Sequence, residues 1–454
     1  MLHKLKKMIS YDNPFRRLWH LGKGMIAAIK YGFPAKKMVC IGVTGTNGKT
    51  TTTHMIEHLL RSSGKKVAML STVNFSINGD FEENTSKKTT MSPFLTQKFL
   101  RQCVRKDVDY VVIESSSHAL HQFRLWGIPF CIATLTNITH EHLDYHGTME
   151  KYKEAKKMLF KIVAKQATIR STMGSTIGNT VEPEQSPTRL GICHGPAIIL
   201  NTADHYFEEF NQIDTSKITY GFDCGDLQAR EATYSKFGSE FTLSYHEKTS
   251  KVALKVPASF NVENALAATG VAFTCGLSFE EIKHGLESFE GVPGRMERIV
   301  SPRGFEVIVD FGLTPDALER LYSTIRETAI AKVIGIIGSC GDRDKTKRPE
   351  LGRIVATYSD LTIVTDEEPY TENPRAIMDA VFSGAETVKI KGIGLELIED
   401  RYEAIEYAVA HAKEGDTIVI TGMGNFTTRT LNQGPIKWDE REVVREIIAR
   451  DGTN

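Results

Sequence analysis

The sequence Gly42-Val43-Thr44-Gly45-Thr46-Asn47-Gly48-Lys49-Thr50-Thr51 stands between an apolar run, residues 38–41, and a segment with helical spacing, residues 52–60. The apolar run indicates a buried strand, and the helical spacing indicates a helix that packs on a sheet. A strand, a glycine-rich turn and a helix that opens with Gly-Lys-Thr are typical of a phosphate-binding loop, in which backbone N–H groups and the helix N-terminus face phosphate oxygens. Lys49 would reach the outer phosphates, and Thr50 could ligate Mg²⁺.

This loop departs from the strict pattern at Val43, where that pattern has glycine, so it is a shortened Gly-x-x-Gly-Lys-Thr cradle. The alternative is an ordinary glycine-rich turn between a strand and a helix. Lys49 and Thr50 both follow the glycine inside the expected elements, which favours phosphate binding.

Length and composition restrict the class of protein. With 454 residues, 41% of them hydrophobic, the chain is expected to form two or three domains with sizeable cores. Lys+Arg and Asp+Glu both number 56, so the overall charge gives no case for nucleic-acid binding. The seven cysteines include no Cys-x-x-Cys pair, which predicts neither a disulfide framework nor a zinc site and fits a reducing cytoplasm. No apolar run approaches the roughly 20 residues of a membrane span.

Residues 1–37 form a basic arm whose only acid is Asp12. A helix is expected from about 14 to 31, with apolar positions at Phe15, Leu18, Trp19, Met25, Ile26 and Ile29. A basic amphipathic arm can touch a membrane surface or an anionic ligand. The interpretation preferred from sequence is that the arm packs on its own domain with its charged face in solvent.

From residue 38 strands and helices alternate, which predicts a parallel α/β sheet with ligands at the carboxyl ends of its strands. Residues 165–260 change to short β-rich runs, interpreted as a sheet appended to the same domain, and a second α/β unit begins after residues 291–294. The expected fold is therefore α/β with three parts. These are a basic arm (1–37), a central P-loop ATPase domain with a parallel sheet plus an appended β-sheet (38–296) and a C-terminal Rossmann-like domain (297–454).

Two further features carry chemistry. Glu114 closes a predicted buried strand beside the phosphate loop, where a carboxylate could hold Mg²⁺ or simply cap the following turn. Residues 140–146 hold three histidines and two acids, yet they lack a His-Glu-x-x-His spacing and follow a strand, so a magnesium and nucleotide role is favoured over zinc.

Eight motifs of this sequence resemble those of one protein family. The chain resembles the Mur ligases of peptidoglycan synthesis, most closely the MurE type, in the family's order from about 38 to 450. The motifs that carry the resemblance are Gly-Thr-Asn-Gly-Lys-Thr-Thr (45–51), Glu-x-Ser-Ser-His-Ala-Leu (114–120), Asn-x-x-x-x-His-Leu-Asp-Tyr-His-Gly (137–147), Tyr-x-x-Ala-Lys-x-x-Leu-Phe (152–160), Phe-Asn-Val-Glu-Asn-Ala (260–265), Pro-Gly-Arg-Met-Glu (293–297), Thr-Pro-Asp-Ala-Leu-Glu (314–319) and Gly-Asp-Arg-Asp-Lys (341–345).

The resemblance implies an ATP-dependent, ADP-forming ligase that joins a carboxylate to an amine through an acyl phosphate. The implied catalytic residues are Lys49, Glu114, His142 and Lys156. The implied Mg²⁺ ligands are Thr50, Glu114, His142 and Lys156, the last as a carbamate. The implied ATP-binding residues are Gly45, Thr46, Asn47, Gly48, Lys49, Thr50, Thr51, Asn264, Arg295 and Asp310, with Asn264 and Arg295 near adenine and phosphate and Asp310 on the ribose. The implied acceptor-binding residues are Thr89, Thr90, Ser116, Gln122 and Arg124. From local composition alone, Lys156 would be a solvated helix lysine.

Departures from the family pattern concern the substrates. Only the basic arm precedes the cradle, where MurE enzymes usually begin with a UDP-binding domain. Glu367-Glu368-Pro369-Tyr370 replaces the Asp-Asn-Pro-Arg of diaminopimelate users, although loop glutamates commonly point to solvent. Phe426 ends the segment that replaces Gly-Lys-Gly-His-Glu, and Leu313 stands where the family has histidine. The amino-acid site implied by alignment comprises Arg343, Glu367, Glu368, Tyr370, Gly422 and Phe426.

The function expected from sequence is the addition of an amino acid to UDP-N-acetylmuramoyl-L-Ala-D-Glu in the cytoplasm. Its partners would be small molecules, namely ATP, the amino acid and the UDP-linked dipeptide, with no nucleic acid. One alternative is a ligase for another carboxylate, such as a folylpolyglutamate synthase or a peptide ligase of another wall polymer. Another is a non-catalytic nucleotide-binding homologue. The presence of Lys49, Glu114, His142 and Lys156 together argues against that second alternative. The amino acid and the oligomeric state are left open.

Overall fold

The structure is a computed structural model that describes residues 13–176, 195 and 197–451. The chain divides into two compact units, of which the second comprises residues 234–239, 255–258 and 290–454 and the first comprises the remainder. The first twelve residues of the basic arm and Cys193 lie outside the described residues. Six other cysteines, among them Cys40 and Cys340, are free thiols.

The first unit is built on an eleven-stranded sheet with strand order β11-β10-β9-β8-β7-β6-β1-β5-β2-β3-β4. Its strands are β1 (Val39–Thr44), β2 (Val67–Leu70), β3 (Asn74–Ile77), β4 (Asp80–Glu83), β5 (Tyr110–Glu114), β6 (Phe130–Leu135), β7 (Ala197–Asn201), β8 (Ser216–Phe222), β9 (Leu227–Ser235), β10 (Gly238–Tyr245) and β11 (Lys248–Leu254). The segment that the sequence predicted as an appended sheet continues the same sheet from β8 outward.

Helices pack around this sheet and follow the predicted alternation. They are α1 (Pro14–Tyr31), α2 (Lys49–Ser62), α3 (Pro93–Arg105), α4 (Ser117–His121), α5 (Leu143–His146), α6 (Met149–Thr176), α7 (Phe207–Asn211), α8 (Ser259–Thr274) and α9 (Phe279–Ser288). The central strand β1 is fully buried and pairs in parallel with β5 on one side and β6 on the other. Because these strands run the same way, their carboxyl ends meet at one edge, where the phosphate loop begins.

The second unit holds a seven-stranded sheet of order β12-β13-β18-β14-β15-β17-β16 and a separate hairpin. Its strands are β12 (Glu297–Val300), β13 (Glu306–Asp310), β14 (Val333–Ile337), β15 (Leu361–Val364), β16 (Ile390–Lys391), β17 (Gly394–Leu397), β18 (Thr417–Thr421), β19 (Thr428–Leu431) and β20 (Gly434–Lys437). Its helices are α10 (Pro315–Thr328), α11 (Arg348–Tyr358), α12 (Pro374–Ala385), α13 (Arg401–His411) and α14 (Glu440–Asp451). The predicted Rossmann-like α/β arrangement is thereby confirmed.

The helix of the basic arm differs from its prediction in one respect. Helix α1 packs on its own unit, against α3, as expected. Its buried residues, however, are Gly24, Ala27 and Ala28. The large apolar side chains face solvent as well, with Phe15 83% exposed, which the sequence did not predict. Gly24 lies close to Phe123 and Trp126, and Ala28 lies close to Gly127, all in the segment after α4; this close approach decides which face docks.

None of the helices in residues 13–176 and 197–451 combines the length and the apolar character that a membrane span requires.

Candidate active site

The phosphate loop connects the end of β1 to the start of α2 and leaves no room for side chains at its glycines. A Cβ at Gly48, whose φ is 80°, would lie 2.2 Å from Asn264 Oδ1. A Cβ at Gly45 would lie 1.8 Å from Thr136 Oγ1. The segment after the neighbouring strand β6 also holds the loop, because Asn47 N donates to Asn137 Oδ1 over 2.9 Å. The structure therefore brings Asn264, predicted to bind ATP, to the loop from more than 200 residues away.

Thr50 and Glu114, the two predicted metal ligands of this edge, are in direct contact. Thr50 Oγ1 donates to Glu114 Oε1 over 3.0 Å, and Glu114 is 1% exposed. The other carboxylate oxygen accepts from both the backbone N–H and the hydroxyl of Thr72, at 2.8 and 3.0 Å. Parallel pairing of β1 with β5 places Glu114 opposite Val43, which explains how a strand-terminal acid reaches the loop.

Two lysines converge on the same loop. Lys49 Nζ donates to the carbonyl of Thr46 over 2.6 Å, and Lys156 Nζ donates to the carbonyl of Gly45. Lys156 is 1% exposed although it lies on helix α6, so it is not a solvated helix lysine. Burial, with Lys49 nearby, lowers the pKa of Lys156 well below its ordinary value. Burial therefore favours the neutral amine, which is the form that can react with an electrophile.

His142 lies at the start of α5 with a φ of 56°, a left-handed conformation that costs a side-chain-bearing residue about 1–2 kcal/mol. Its ring stands perpendicular to that of His118, with 4.6 Å between ring centroids. Burial lowers its pKa, and the nearby His118 and Lys49 act in the same direction. His142 is therefore held neutral, the form in which imidazole binds a metal.

The residues fit Mg²⁺ rather than zinc. Thr50 and Glu114 offer oxygen ligands, the type that Mg²⁺ prefers, and Mg²⁺ commonly takes few protein ligands beside substrate phosphates and water. Within the described part of the chain, no three His, Cys, Asp or Glu side chains form a group suited to a metal ion. His142 and His146 instead each contact the ring of His118 edge-on, and His146 also contacts Tyr145 edge-on. A second Mg²⁺ would have His142 and the carbamate of Lys156 as its protein ligands.

Four of the predicted acceptor-binding residues form one hydrogen-bonded network. Thr90 Oγ1 donates to the carbonyl of Glu114 over 2.8 Å and pairs with Ser116 Oγ at 3.2 Å. Arg124 donates to the carbonyl of Thr90 at 2.9 Å and, through two nitrogens, to Gln122 Oε1 at 3.0 and 2.7 Å. Thr89 is half-buried beside Thr90. The network thus reaches the backbone of the residue that would hold Mg²⁺.

A cavity of about 170 Å³ adjoins this network. Its lining includes Arg124 and Gln122 together with Lys88 and two residues of the arm helix, His20 and Lys23. Burial, together with the charges of Arg16, Lys23 and Arg124, lowers the pKa of His20 to about 4. The potential in this cavity is therefore positive, which suits an anion.

In the second unit, Arg295 and Asp310 lie close together at the end of β13. Asp310 accepts hydrogen bonds from the N–H groups of Met296 and Gly312, at 2.8 and 2.6 Å. Burial raises its pKa, while Arg295 opposes that rise. The Arg295 guanidinium lies 4.1 Å above the ring of Phe311. These are the two nucleotide-binding residues that the family resemblance implied for this unit.

The predicted amino-acid residues gather at the carboxyl ends of β15 and β18. Glu367 and Glu368 are each 1% exposed, so the expectation that such glutamates point to solvent is wrong here. Glu368 accepts from the backbone N–H of Thr430 at 2.8 Å and from the hydroxyl of Tyr370 at 3.0 Å. Thr430 lies on β19, 62 residues further along the chain, so no local pattern predicts this contact.

Of the remaining members of this group, Gly422 lies against Glu367. A Cβ at Gly422 would lie 2.1 Å from Glu367 Oε2. The Arg343 guanidinium lies 5.9 Å from the centre of the Tyr370 ring. Phe426 packs edge-on against Phe311 at 5.0 Å.

Sequence reasoning missed several residues that support these sites. Thr72 shares the carboxylate of Glu114. Arg401 pairs with Glu440 where both side chains are fully buried, and Arg429 pairs with Asp366 at 2.7 Å. Arg401 and Glu440 lie on amphipathic helices far apart in sequence, so no local signal identifies them. Thr72 follows β2, which neighbours β5, and its position after a strand is a weak signal of that role.

Comparison with known proteins identifies the family. The Mur ligase middle domain matches residues 43–179 and 191–272, and the Mur ligase, glutamate ligase domain matches residues 294–424. The chain belongs to the Mur ligase family. It is therefore an ADP-forming acid–amino acid ligase that uses ATP and Mg²⁺, as the sequence motifs predicted.

Individual relatives are similar over most of the chain. A UDP-N-acetylmuramoyl-L-alanyl-D-glutamate–2,6-diaminopimelate ligase of Geobacillus kaustophilus is 36% identical over 94% of this chain and 82% of that protein. A ligase of the same name from Clostridium acetobutylicum is 36% identical over 92% of this chain and 80% of that protein. A solved structure of such a ligase superposes with a TM-score of 0.61 at 27% identity, over 92% of this chain and 79% of that one.

Folylpolyglutamate synthase of Mycobacterium tuberculosis shares the fold. Its TM-score is 0.66 at 17% identity, covering 88% of this chain and 92% of that one.

Proposed function

We propose that this Mur ligase adds an amino acid to the dipeptide carboxylate of UDP-N-acetylmuramoyl-L-Ala-D-Glu in peptidoglycan precursor synthesis, in the cytoplasm. The observation that carries the proposal is the convergence of Lys49, Thr50, Glu114 and Lys156 on one phosphate loop, in a chain 36% identical to ligases of that substrate. ATP would transfer its γ-phosphoryl group to the carboxylate. The amine would attack the acyl phosphate, and inorganic phosphate would leave.

Each group at the loop has a role in neutralising charge. Lys49 would move from the carbonyl of Thr46 to the outer phosphates, where an ammonium stabilises the transferring phosphoryl group. Mg²⁺ held by Thr50 and Glu114 would supply further positive charge to the same oxygens. His142 would offer a neutral imidazole to the second Mg²⁺.

Lys156 is proposed to act as a carbamate. A neutral amine attacks CO₂, forms an N–C bond and releases a proton, which leaves an anionic carbamate in place of an ammonium. The burial that lowers the pKa of Lys156 favours that reaction. The carbamate would ligate metal and orient the acceptor carboxylate.

The acceptor would lie along the network of Thr90, Ser116, Gln122 and Arg124, with Thr89 at its edge. The adjoining basic cavity, lined by His20, Lys23 and Lys88, would receive an anionic part of the same molecule. His20 and Lys23, on one side of helix α1, would thereby become part of the acceptor site.

For the incoming amino acid we propose lysine or ornithine in preference to meso-diaminopimelate. The family arginine that would bind a distal carboxylate is replaced by Tyr370, whose hydroxyl already donates to Glu368. Buried Glu367 and Glu368 make this region acidic, which suits a distal ammonium, and Arg343 could hold the α-carboxylate. A charge-assisted hydrogen bond is worth roughly 1.5–3 kcal/mol, so diaminopimelate should lose about ten- to a hundred-fold in kcat/KM.

The test is ADP release with a panel of amino acids, with and without the UDP-linked dipeptide. Dependence on both substrates is expected, and ADP release that ignores the dipeptide would contradict the proposed acceptor. Lysine, ornithine, alanine and meso-diaminopimelate compete at equal concentration in a second experiment. Tyr370→Arg should shift incorporation toward diaminopimelate, whereas Tyr370→Phe should not. Predominant diaminopimelate incorporation by the wild type would show that the proposed selectivity is wrong.

A further inference from the structure

Helix α1 presents a continuous apolar stripe to solvent. Six large apolar side chains of this 18-residue helix are exposed. Their exposed fractions are 83% for Phe15, 66% for Leu18, 64% for Trp19, 39% for Met25, 59% for Ile26 and 61% for Ile29. At about 100° per residue they fall within an arc of roughly 120°, along a helix about 27 Å long. A contiguous exposed stripe of this kind marks an interaction surface.

The opposite face holds the helix in this orientation. A Cβ at Gly24 would lie 2.6 Å from the carbonyl oxygen of Phe123 and 2.9 Å from Trp126 Cβ. Ala28 makes a similarly close approach to Gly127. Large side chains cannot enter this contact, so the helix cannot roll to bury its apolar stripe.

The charges that flank the stripe have one sign. Arg16, Lys23 and Lys30 recur every seven residues, which places them on the same side of the helix, next to the apolar arc. The sequence has no Asp or Glu between residues 13 and 56, although the whole chain is neutral. The neighbouring helix α3 adds exposed Leu95, Lys98 and Arg105, and its sequence also lacks acids.

We propose that this face of α1, with the adjoining basic residues of α3, binds the surface of a bilayer that contains anionic lipid, with α1 parallel to the membrane plane. An exposed stripe with Trp, Phe and Leu beside Lys and Arg is the pattern of interfacial helices. A second copy of the chain fits poorly, because a symmetric contact would bring the same positive charges together. This inference is independent of the proposed substrates.

The test is cosedimentation of the full-length protein with vesicles. Vesicles of phosphatidylcholine with phosphatidylglycerol should bind the protein, and vesicles of phosphatidylcholine alone should bind it far less. Leu18→Ser with Ile26→Ser should weaken binding at least about tenfold, since both side chains enter the interface. Arg16→Gln with Lys30→Gln should weaken it about fivefold per residue.

A matched control removes apolar residues elsewhere. Ile330 and Ile393 are 74% and 72% exposed in the second unit, so Ile330→Ser with Ile393→Ser should leave vesicle binding unchanged. Bromine-labelled lipid should quench tryptophan fluorescence in the wild type, and Trp19→Phe should remove most of that quenching. ADP release without vesicles should be the same in the Leu18 and Ile26 double variant as in the wild type, which shows that it is folded.

Three outcomes would overturn the proposal. One is the absence of binding to anionic vesicles. Another is equal loss of binding in the Ile330 and Ile393 control. The third is a wild-type dimer by light scattering that Leu18→Ser with Ile26→Ser converts to a monomer, because the stripe would then be a subunit interface.

Discussion

Replacing Glu114 with glutamine tests the proposed metal site with little change in shape. The carboxylate accepts three hydrogen bonds, one from Thr50 and two from Thr72. The glutamine carbonyl can accept both bonds from Thr72, and its NH₂ group can donate to Thr50 Oγ1. The variant thus retains the contacts and removes one negative charge from the edge where Mg²⁺ would bind.

The two expected magnitudes differ in scale. A hydrogen bond to a charged group contributes about 1.5–3 kcal/mol and a neutral one about 0.5–1.5, a difference of about 1–1.5 kcal/mol per bond, so over three bonds the loss of stability should not exceed about 4.5 kcal/mol. At about 2 °C per kcal/mol for a domain of this size, Tm should fall by about 9 °C or less. The loss of a preorganised charge at the reacting phosphates should lower kcat about a hundred- to a thousand-fold.

The assay is steady-state ADP release over a titration of Mg²⁺. Glu114→Gln should need more Mg²⁺ for half-maximal rate, because Thr50 remains as a ligand while the anionic ligand is lost. Glu57→Gln is the matched control, since Glu57 is also a buried carboxylate, 2% exposed, but it bonds Arg61 and Ser76 away from the loop. Its turnover and its Mg²⁺ requirement should be those of the wild type.

The result that refutes this reasoning is near-normal turnover of Glu114→Gln at the wild-type Mg²⁺ requirement. Glu114 would then be a capping carboxylate for the turn after β5. Equal losses of activity in the Glu57 control would show instead that any buried charge change disturbs the unit, and the metal assignment would lose its support.

Other predictions test the remaining parts of the site. Lys49→Ala should abolish ADP formation with an unchanged circular dichroism spectrum, and retained turnover would contradict the phosphate-loop assignment. Lys156→Ala should be nearly inactive and partly rescued by added short-chain carboxylates; full activity without rescue would exclude the carbamate. Deleting residues 1–34 should raise the acceptor KM much more than the ATP KM. Equal effects on both KM values would show that the arm is not part of the acceptor site. Hydrogen bonds from Arg348 lower the pKa of Glu372 from 4.5 to about 2, so its stabilisation is present above pH 4.5 and lost as pH falls toward 2. Glu372→Gln should therefore lower Tm at pH 7 but not at pH 2.

The local elements and the chemistry of the phosphate loop could be predicted from sequence because both are short-range properties. The apolar spacing of the arm located helix α1, expected from about 14 to 31, at its observed bounds Pro14–Tyr31. Lys49 and Thr50 follow the glycine at a spacing that only a loop between a strand and a helix accommodates. The family motifs then identified Glu114 and Lys156 as partners of that loop.

Tertiary structure decided what these residues touch. The parallel pairing of β1 with β5 brings Glu114 to Thr50, and the packing of α8 brings Asn264 to Gly48. Neither contact has a local signal, because strand order and helix docking depend on the burial of whole surfaces.

Helix α1 shows most plainly the difference between what the sequence determines and what tertiary packing decides. Its sequence determined a helix with an apolar stripe and, opposite, a stripe of small residues. Only packing decided which stripe docks: Gly24 and Ala28 permit backbone approach that Leu18 and Ile26 would prevent, so the small residues are buried and the large apolar ones face outward.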